Sequence, residues 1–403
     1  MGLGIVIVGA GDCGTRAALA LRGHGYSGPV TLIGDEDHAP YERPSLSKGA
    51  LLCDTDPTPI VTEDRLRSLG ITFLKNVPAS RILRDTHEVE CSDGQRIAYS
   101  KLLLATGASP RRLRDQMGRI SYLRSWRDCQ SLKASLSAGM RVVVLGAGFL
   151  GLEVAAAART RGAEVTVLET QPRILQRGVP PEIAAALGAR HAQAGVTIRT
   201  HVAADLSIGS HSISLGGKEE IEADLLFGAI GAIPNTRLAE AASLSIENGI
   251  LVDSRLRTSD PDILAAGDCC AFPLAVAGGL KVRLEAWRAA LDQAEVAAHN
   301  LAGGDQALGL LPWFWSDQYD TTLQIVGLYS ADLATVRRDI DKESFVLFHF
   351  DPGHRLVAAS GYGPTGRVAR DMKFAEMLVA NSARPDPELL GRPEVNLKSL
   401  LGA

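Results

Sequence analysis

Two six-residue loops limit what this chain can fold into. The first, GAGDCG, runs from Gly9 to Gly14, and the second, GAGFLG, from Gly146 to Gly151. Each follows a run of consecutive apolar β-formers, GIVIV at 4–8 and VVVL at 142–145. Runs without alternation suit strands buried on both faces of a parallel sheet. Each loop opens a stretch of helix formers, TRAALALRG or LEVAAAART, and then comes a second strand-like run, PVTLIG or AEVTVLE. Strand, glycine loop, helix and strand make a complete βαβ unit, and this chain has two. The expected class is α/β, with two Rossmann-like dinucleotide-binding domains.

The glycines have separate tasks. Gly9 and Gly146 permit the tight turn, Gly11 and Gly148 let a pyrophosphate approach the backbone, and Gly14 and Gly151 let helix and strand pack closely. The helix N-terminus offers N–H groups and the positive end of its dipole to the phosphates. Asp35 lies 21 residues beyond Gly14, where an acid accepts hydrogen bonds from an adenosine ribose, and Glu36 is the neighbouring candidate. Glu169 lies 18 residues beyond Gly151. A carboxylate there binds a ribose 2′-hydroxyl and repels a 2′-phosphate, which favours NADH over NADPH; the nearby Arg173 argues the other way. One such loop can be an ordinary structural turn. Two, each in a full βαβ unit ending in an acid, imply two dinucleotides, and hydride transfer between them needs a donor and an acceptor: a nicotinamide and a flavin.

The remaining sequence fits a multi-domain enzyme. A length of 403 residues exceeds one ordinary domain. Residues 87–104 suggest a small antiparallel element turning at 92–94, and 311–362 hold Trp313, Phe314 and Trp315 followed by alternating strands. A helix is expected over 364–380, which makes the end of the chain an α+β domain. The formal charge of −4 lacks the basic excess that a general nucleic-acid binder uses to neutralise phosphates. Six cysteines without a CxxC or zinc spacing fit a reducing, cytoplasmic compartment. The start of the chain lacks the basic region of a signal peptide, and no apolar run is long enough to suggest a transmembrane helix.

The stretches PYERPSLSK (40–48), LLLATGASPR (102–111), GAGFLGLE (146–153) and TSDPDILAAGD (258–268) together resemble the FAD-dependent pyridine-nucleotide reductases. The run PWFWSDQYDTTLQIVG (312–327) is similar to that of the ferredoxin reductase components of bacterial oxygenase systems. The resemblance covers nearly the whole chain. It implies a glutathione reductase-like flavoprotein, with a discontinuous FAD-binding domain at 1–108 and 236–310, an NAD-binding domain at 109–235 and a C-terminal α+β domain at 311–403. The FAD set it implies is Gly9, Gly11, Cys13, Gly14, Asp35, Arg43, Lys48, Ala79, Thr106, Arg124, Asp268 and Trp287. The NADH set is Gly146, Gly148, Gly151, Glu169 and Gly231. Lys48 is expected to face Glu153 near the nicotinamide, as the catalytic pair. A buried ammonium standing alone is costly, so such a pairing is physically reasonable.

Related disulfide reductases carry CxxxxC beside the flavin. Here the matching segment is RPSLSK, without cysteine, so electrons leave the flavin directly. A flavin can split a hydride into single-electron steps, which suits a [2Fe-2S] ferredoxin feeding a terminal oxygenase, with the reductase a monomer or homodimer. An acidic ferredoxin would dock on basic surface, and Arg111, Arg112, Arg114 and Arg119, or Arg337 and Arg338, are the densest clusters. Two alternatives stay open: a small-molecule reductase resembling monodehydroascorbate reductase, and a redox-controlled binding flavoprotein resembling apoptosis-inducing factor.

Overall fold

The structure, a computed structural model, describes residues 3–53, 55–202, 205–217 and 219–402. The chain forms two compact units. One is built from 1–45, 56–109 and 232–310, the other from 46–55, 110–231 and 311–403.

In the first unit, the apolar run Gly4–Val8 is a fully buried strand. Val30–Ile33 lies parallel on one side of it and the end of Arg96–Leu104 on the other, with Val8 opposite both Ile33 and Leu104. Ile71–Leu74 and Ile263–Ala265 extend this parallel sheet outward. The first half of Arg96–Leu104 instead pairs antiparallel with Glu88–Cys91, which pairs in turn with Ala79–Leu83. This is the expected antiparallel element, and Gly94 turns it at φ +86°. Helix Asp12–Gly23 begins inside the first glycine loop, three residues earlier than its helix formers suggest, and packs against helix Trp287–Leu301.

In the second unit, Arg141–Leu145 sits between Glu164–Leu168 and Leu225–Gly228, with Thr197–Arg199 and Ile120–Ser121 outside; all neighbours are parallel. Helix Phe149–Thr160 likewise begins inside the second glycine loop. Residues 313–364 form a five-stranded antiparallel sheet in the order 313–318, 321–327, 356–364, 345–350, 334–339. Val346, Phe348, Met372 and Leu378 are buried in one core where helix Ala369–Ala380 covers that sheet. The helix starts later than its sequence suggests. Strand Leu356–Pro364 stays paired with Thr321 as far as Pro364, and Gly366, at φ +86°, turns the chain before the helix begins. The architecture is that of two Rossmann-like folds and an α+β element. Among the described residues no helix is long and apolar enough to cross a membrane.

Candidate dinucleotide and redox site

The glycines of the two loops fall into two physical classes. Gly9 and Gly146 have φ of +113° and +103°, and a Cβ on either would lie 2.2 Å from the Ala105 carbonyl oxygen or 2.5 Å from that of Ala229. A Cβ on Gly14 would lie 1.9 Å from the Gly9 oxygen, and one on Gly151 2.1 Å from the Gly146 oxygen. The protein itself therefore demands these four. Gly11 and Gly148 are different. Their φ values of −78° and −79° suit any residue. A Cβ at Gly11 would meet no more than the guanidinium end of Arg43 at 3.7 Å, and one at Gly148 nothing within 4 Å. Among the described residues no neighbouring protein atom requires glycine at either position, and both leave backbone open to a ligand. Each is also the N-cap of its helix and supplies no side-chain cap. That leaves first-turn N–H groups for an anion, as a dinucleotide pyrophosphate requires.

The acids differ between the loops. Glu169 directly follows its strand, where Oε2 accepts the Ala147 N–H at 2.7 Å and Oε1 the Gln171 N–H at 2.9 Å. Its carboxylate is thus fixed against the loop. Arg173 donates to the carbonyls of Ile174, Leu175, Gln176 and Val179, so its guanidinium holds its own turn together. In the first unit the position matching Glu169 is Gly34, since Gly9 N–H bonds to Ile33 as Gly146 N–H bonds to Leu168. A Cβ on Gly34 would stand 2.9 Å from that of Ala10, which excludes a larger residue and moves the acids downstream. Asp35 is exposed. Glu36 accepts the Tyr41 hydroxyl at 2.6 Å and Arg43 Nη2 at 2.7 Å.

The other residues expected at FAD are distributed as follows. Cys13 is buried against Gly267. Trp287 opens its helix and donates its indole N–H to Asp12 Oδ1 at 3.1 Å. Burial raises the Asp12 pKa. The Thr106 hydroxyl donates to the Asn235 carbonyl at 2.7 Å, and the Asn235 amide returns a bond to the Thr106 carbonyl at 2.8 Å. Asp268 follows Gly267, and its carbonyl accepts from Arg283. Ala79 begins a strand opposite Cys91. All of these lie in the first unit, as does Arg43, whereas Lys48 and Arg124 belong to the second. Arg124 precedes helix Trp126–Ser135 and gives its backbone N–H to Asp128. Gly231, at φ +110°, has open space beside it and accepts the Arg111 N–H.

Within the second unit Lys48 Nζ meets Glu153 Oε1 at 2.8 Å. Glu153 is 7% exposed on helix Phe149–Thr160. Its carboxylate also accepts the Ser47 hydroxyl at 2.5 Å and the Ser316 hydroxyl at 2.6 Å. Lys48 lies 5.9 Å from the centre of the Trp315 ring, which stacks obliquely near Trp313. Phe149, at the start of the same helix, packs on Phe314 with centroids 4.1 Å apart. The sequence reading missed Ser47, Ser316 and Gln318. Ser316 and Gln318 alternate in WFWSDQ and so share a strand face, which was the available signal.

Two arginines of the expected docking clusters hold the fold instead. Arg119 donates to the Gly209 and Ala223 carbonyls. Arg338 is buried and bonds Asp371 and several carbonyls between Leu390 and Val395. Arg111, Arg112, Arg114 and Arg337 remain exposed.

The sequence pattern of the family described as Pyridine nucleotide-disulphide oxidoreductase matches residues 4–294, and that described as Reductase C-terminal matches 313–401. The chain is 40% identical to the anthranilate 1,2-dioxygenase system ferredoxin--NAD(+) reductase component of Burkholderia cepacia, over 98% of each chain. It is 38% identical to rhodocoxin reductase of Rhodococcus erythropolis, over 98% of this chain and 94% of that one. The fold superposes on the reductase in a covalent putidaredoxin reductase–putidaredoxin complex with a TM-score of 0.92, at 33% identity, covering 99% of this chain and 98% of the other.

Proposed function

The chain belongs to the pyridine nucleotide-disulphide oxidoreductase family, among the ferredoxin--NAD(+) reductase components of oxygenase systems, and from that premise we propose that it carries electrons from NADH through FAD to a [2Fe-2S] ferredoxin serving a dioxygenase or cytochrome P450. When bound, the two cofactors supply the redox chemistry, a two-electron hydride donor meeting a flavin that can release electrons singly. The protein's part is binding, orientation and electrostatics. Gly11 and the N-terminus of helix Asp12–Gly23 would hold the FAD pyrophosphate. Gly148 and the N-terminus of helix Phe149–Thr160 would hold that of NADH, with Glu169 on the adenosine ribose. Glu169 and the engaged Arg173 together support NADH over NADPH. Lys48 and Glu153 serve hydride transfer as a pair: Glu153 fixes the ammonium in one position, and Lys48 cancels the charge of the buried carboxylate.

The observation that carries this reading is the pair of glycines, Gly11 and Gly148, whose backbone at a helix N-terminus is left open by the surrounding protein atoms. It is tested by anaerobic titration of the purified yellow protein. One equivalent of NADH should bleach the flavin, NADPH should do so far more slowly, and added ferredoxin should make cytochrome c reduction fast. Glu153→Gln should retain the flavin and slow bleaching at least about tenfold, the value of one strong charge-assisted interaction. A colourless preparation, or equal rates with NADPH, would contradict the proposal.

A further inference from the structure

Glu153 ends a chain of buried polar side chains that reaches much farther than its ion pair. Its Oε1 accepts Ser316 Oγ at 2.6 Å, Ser316 Oγ meets Gln318 Nε2 at 3.0 Å, and Gln318 Oε1 meets His191 Nε2 at 2.7 Å. His191 Nδ1 in turn meets the Tyr319 hydroxyl at 3.1 Å. Ser316, Gln318 and His191 are each at most 2% exposed. All five residues lie in the second unit.

The carboxylate dictates the direction of every bond in this chain. A carboxylate only accepts, so Ser316 must give it its single hydroxyl hydrogen. Ser316 then has none left for Gln318 and must accept from the amide nitrogen. That turns the Gln318 oxygen toward His191, which must therefore carry its proton on Nε2. Nδ1 is left as an acceptor for the Tyr319 O–H. Burial lowers the His191 pKa, with the Gln318 bond acting in the opposite sense, and burial pushes the Tyr319 pKa up to about 12, so the imidazole stays neutral and the phenol protonated. Four dipoles thus point one way, toward Glu153.

A second observation shows that the outer end is held in place. Tyr319 has φ +56° in the two-residue turn between strands Trp313–Gln318 and Thr321–Gly327, a conformation that disfavours a bulky side chain. The Tyr319 ring is nevertheless fixed there by Arg190, whose guanidinium lies 4.3 Å from its centroid and pairs with Asp320 at 2.8 Å.

We propose that Ser316, Gln318 and His191 are positioning residues for the Lys48–Glu153 pair, acting in series as a one-way hydrogen-bonded chain that fixes the Glu153 carboxylate. The inference rests on the proposed role of that pair in hydride transfer. None of the three need touch a cofactor. The chain explains why polar residues occupy sites that an ordinary core would fill with apolar ones, and why they alternate on a single strand face.

Two measurements test it. Nitrogen NMR of histidine-labelled protein, with the signal assigned by its loss in a His191 variant, should show a neutral imidazole protonated on Nε2. A proton on Nδ1, or an imidazolium at neutral pH, overturns the chain whatever the kinetics. In stopped flow, Ser316→Ala should lower the limiting rate of flavin reduction by NADH about tenfold and leave the NADH Kd within about twofold. Ser316→Thr should restore most of the rate. Gln318→Leu should slow reduction about threefold alone, and Ser316→Ala/Gln318→Leu should be no slower than Ser316→Ala, since links in series are lost once. Multiplied effects, or a loss expressed in Kd, overturn the proposal. Gln318→Leu leaves a buried His191 N–H unpaired, so His191→Leu/Gln318→Leu, which removes both partners, guards against misfolding and should match Gln318→Leu in rate. If Glu153→Gln itself leaves flavin reduction unchanged, the reading of the ion pair fails; if Glu153→Gln slows it and the Ser316 variants do not, the chain alone fails.

Discussion

His349 shows how one buried side chain can set the acid limit of a domain. It lies fully buried in strand Phe345–Phe350, with Thr335 Oγ1 3.0 Å from Nδ1 and Ser360 Oγ 3.2 Å from Nε2. Burial drives its pKa down to about 4. The unfolded chain takes up a proton near the ordinary histidine value of 6.5, and the folded chain does so only near 4. Between these values the unfolded state binds more protons, so stability is intact above about pH 6.5 and is lost as pH falls toward 4. The loss should reach about 2 kcal/mol by pH 5. Urea unfolding of the unit that contains His349, at pH 7.5 and pH 5, should show that drop in the wild type, and a clearly smaller one in His349→Gln. Equal drops would mean that other groups set the acid limit. Neither this histidine nor His191 was legible in the sequence, where each stands among ordinary strand or helix residues. Their buried positions depend on partners 11 to 127 residues away, and no local pattern encodes such a meeting. Lys48 and Glu153 are 105 residues apart and were anticipated only through resemblance.

At the scale of elements, the βαβ units were readable because their signals are local. Consecutive apolar residues mark a doubly buried strand, and glycines at fixed offsets mark the turn into a helix. The helix starting at Ala369 was misplaced because PTG can end a strand or begin a helix, and the ladder to Thr321 decides between them. The second loop offers a test that separates packing from ligand. Gly151→Ala places a methyl 2.1 Å from a backbone oxygen that cannot rotate away. It should destabilise its unit by about 1–3 kcal/mol, the usual cost of overpacking. Gly148→Ala meets no protein atom within 4 Å at an ordinary φ. Its midpoint in thermal unfolding should stay near that of the wild type, while the NADH Kd rises at least about tenfold because the methyl stands where the phosphates approach. Normal NADH binding by Gly148→Ala would remove this loop from the nucleotide site.

At the scale of the whole molecule, neither compact unit is a continuous stretch of chain. The second draws 46–55 and 311–403 to the segment 110–231, and the first takes nothing beyond Leu310. The C-terminal residues are therefore part of how the second unit is completed. Phe314 covers Phe149 at the mouth of the second glycine loop, Ser316 binds Glu153, and Gln318 binds His191. Removing them would expose an aromatic ring and leave a buried carboxylate and an imidazole without their partners, each a costly change. Truncation after Leu310 should consequently do more than delete a domain. Hydrogen exchange followed by mass spectrometry should show helices Phe149–Thr160 and Pro181–Gln193 losing protection by several orders of magnitude. Strand Gly4–Val8, paired with Val30–Ile33 and Arg96–Leu104, and helix Asp12–Gly23, packed mainly on Trp287–Leu301, should keep theirs. The truncated protein should remain yellow yet fail to bleach with NADH. If both helices of the second unit stay protected, the C-terminal sheet is an independent appendage, and the polar chain through Ser316 cannot be what orders Glu153.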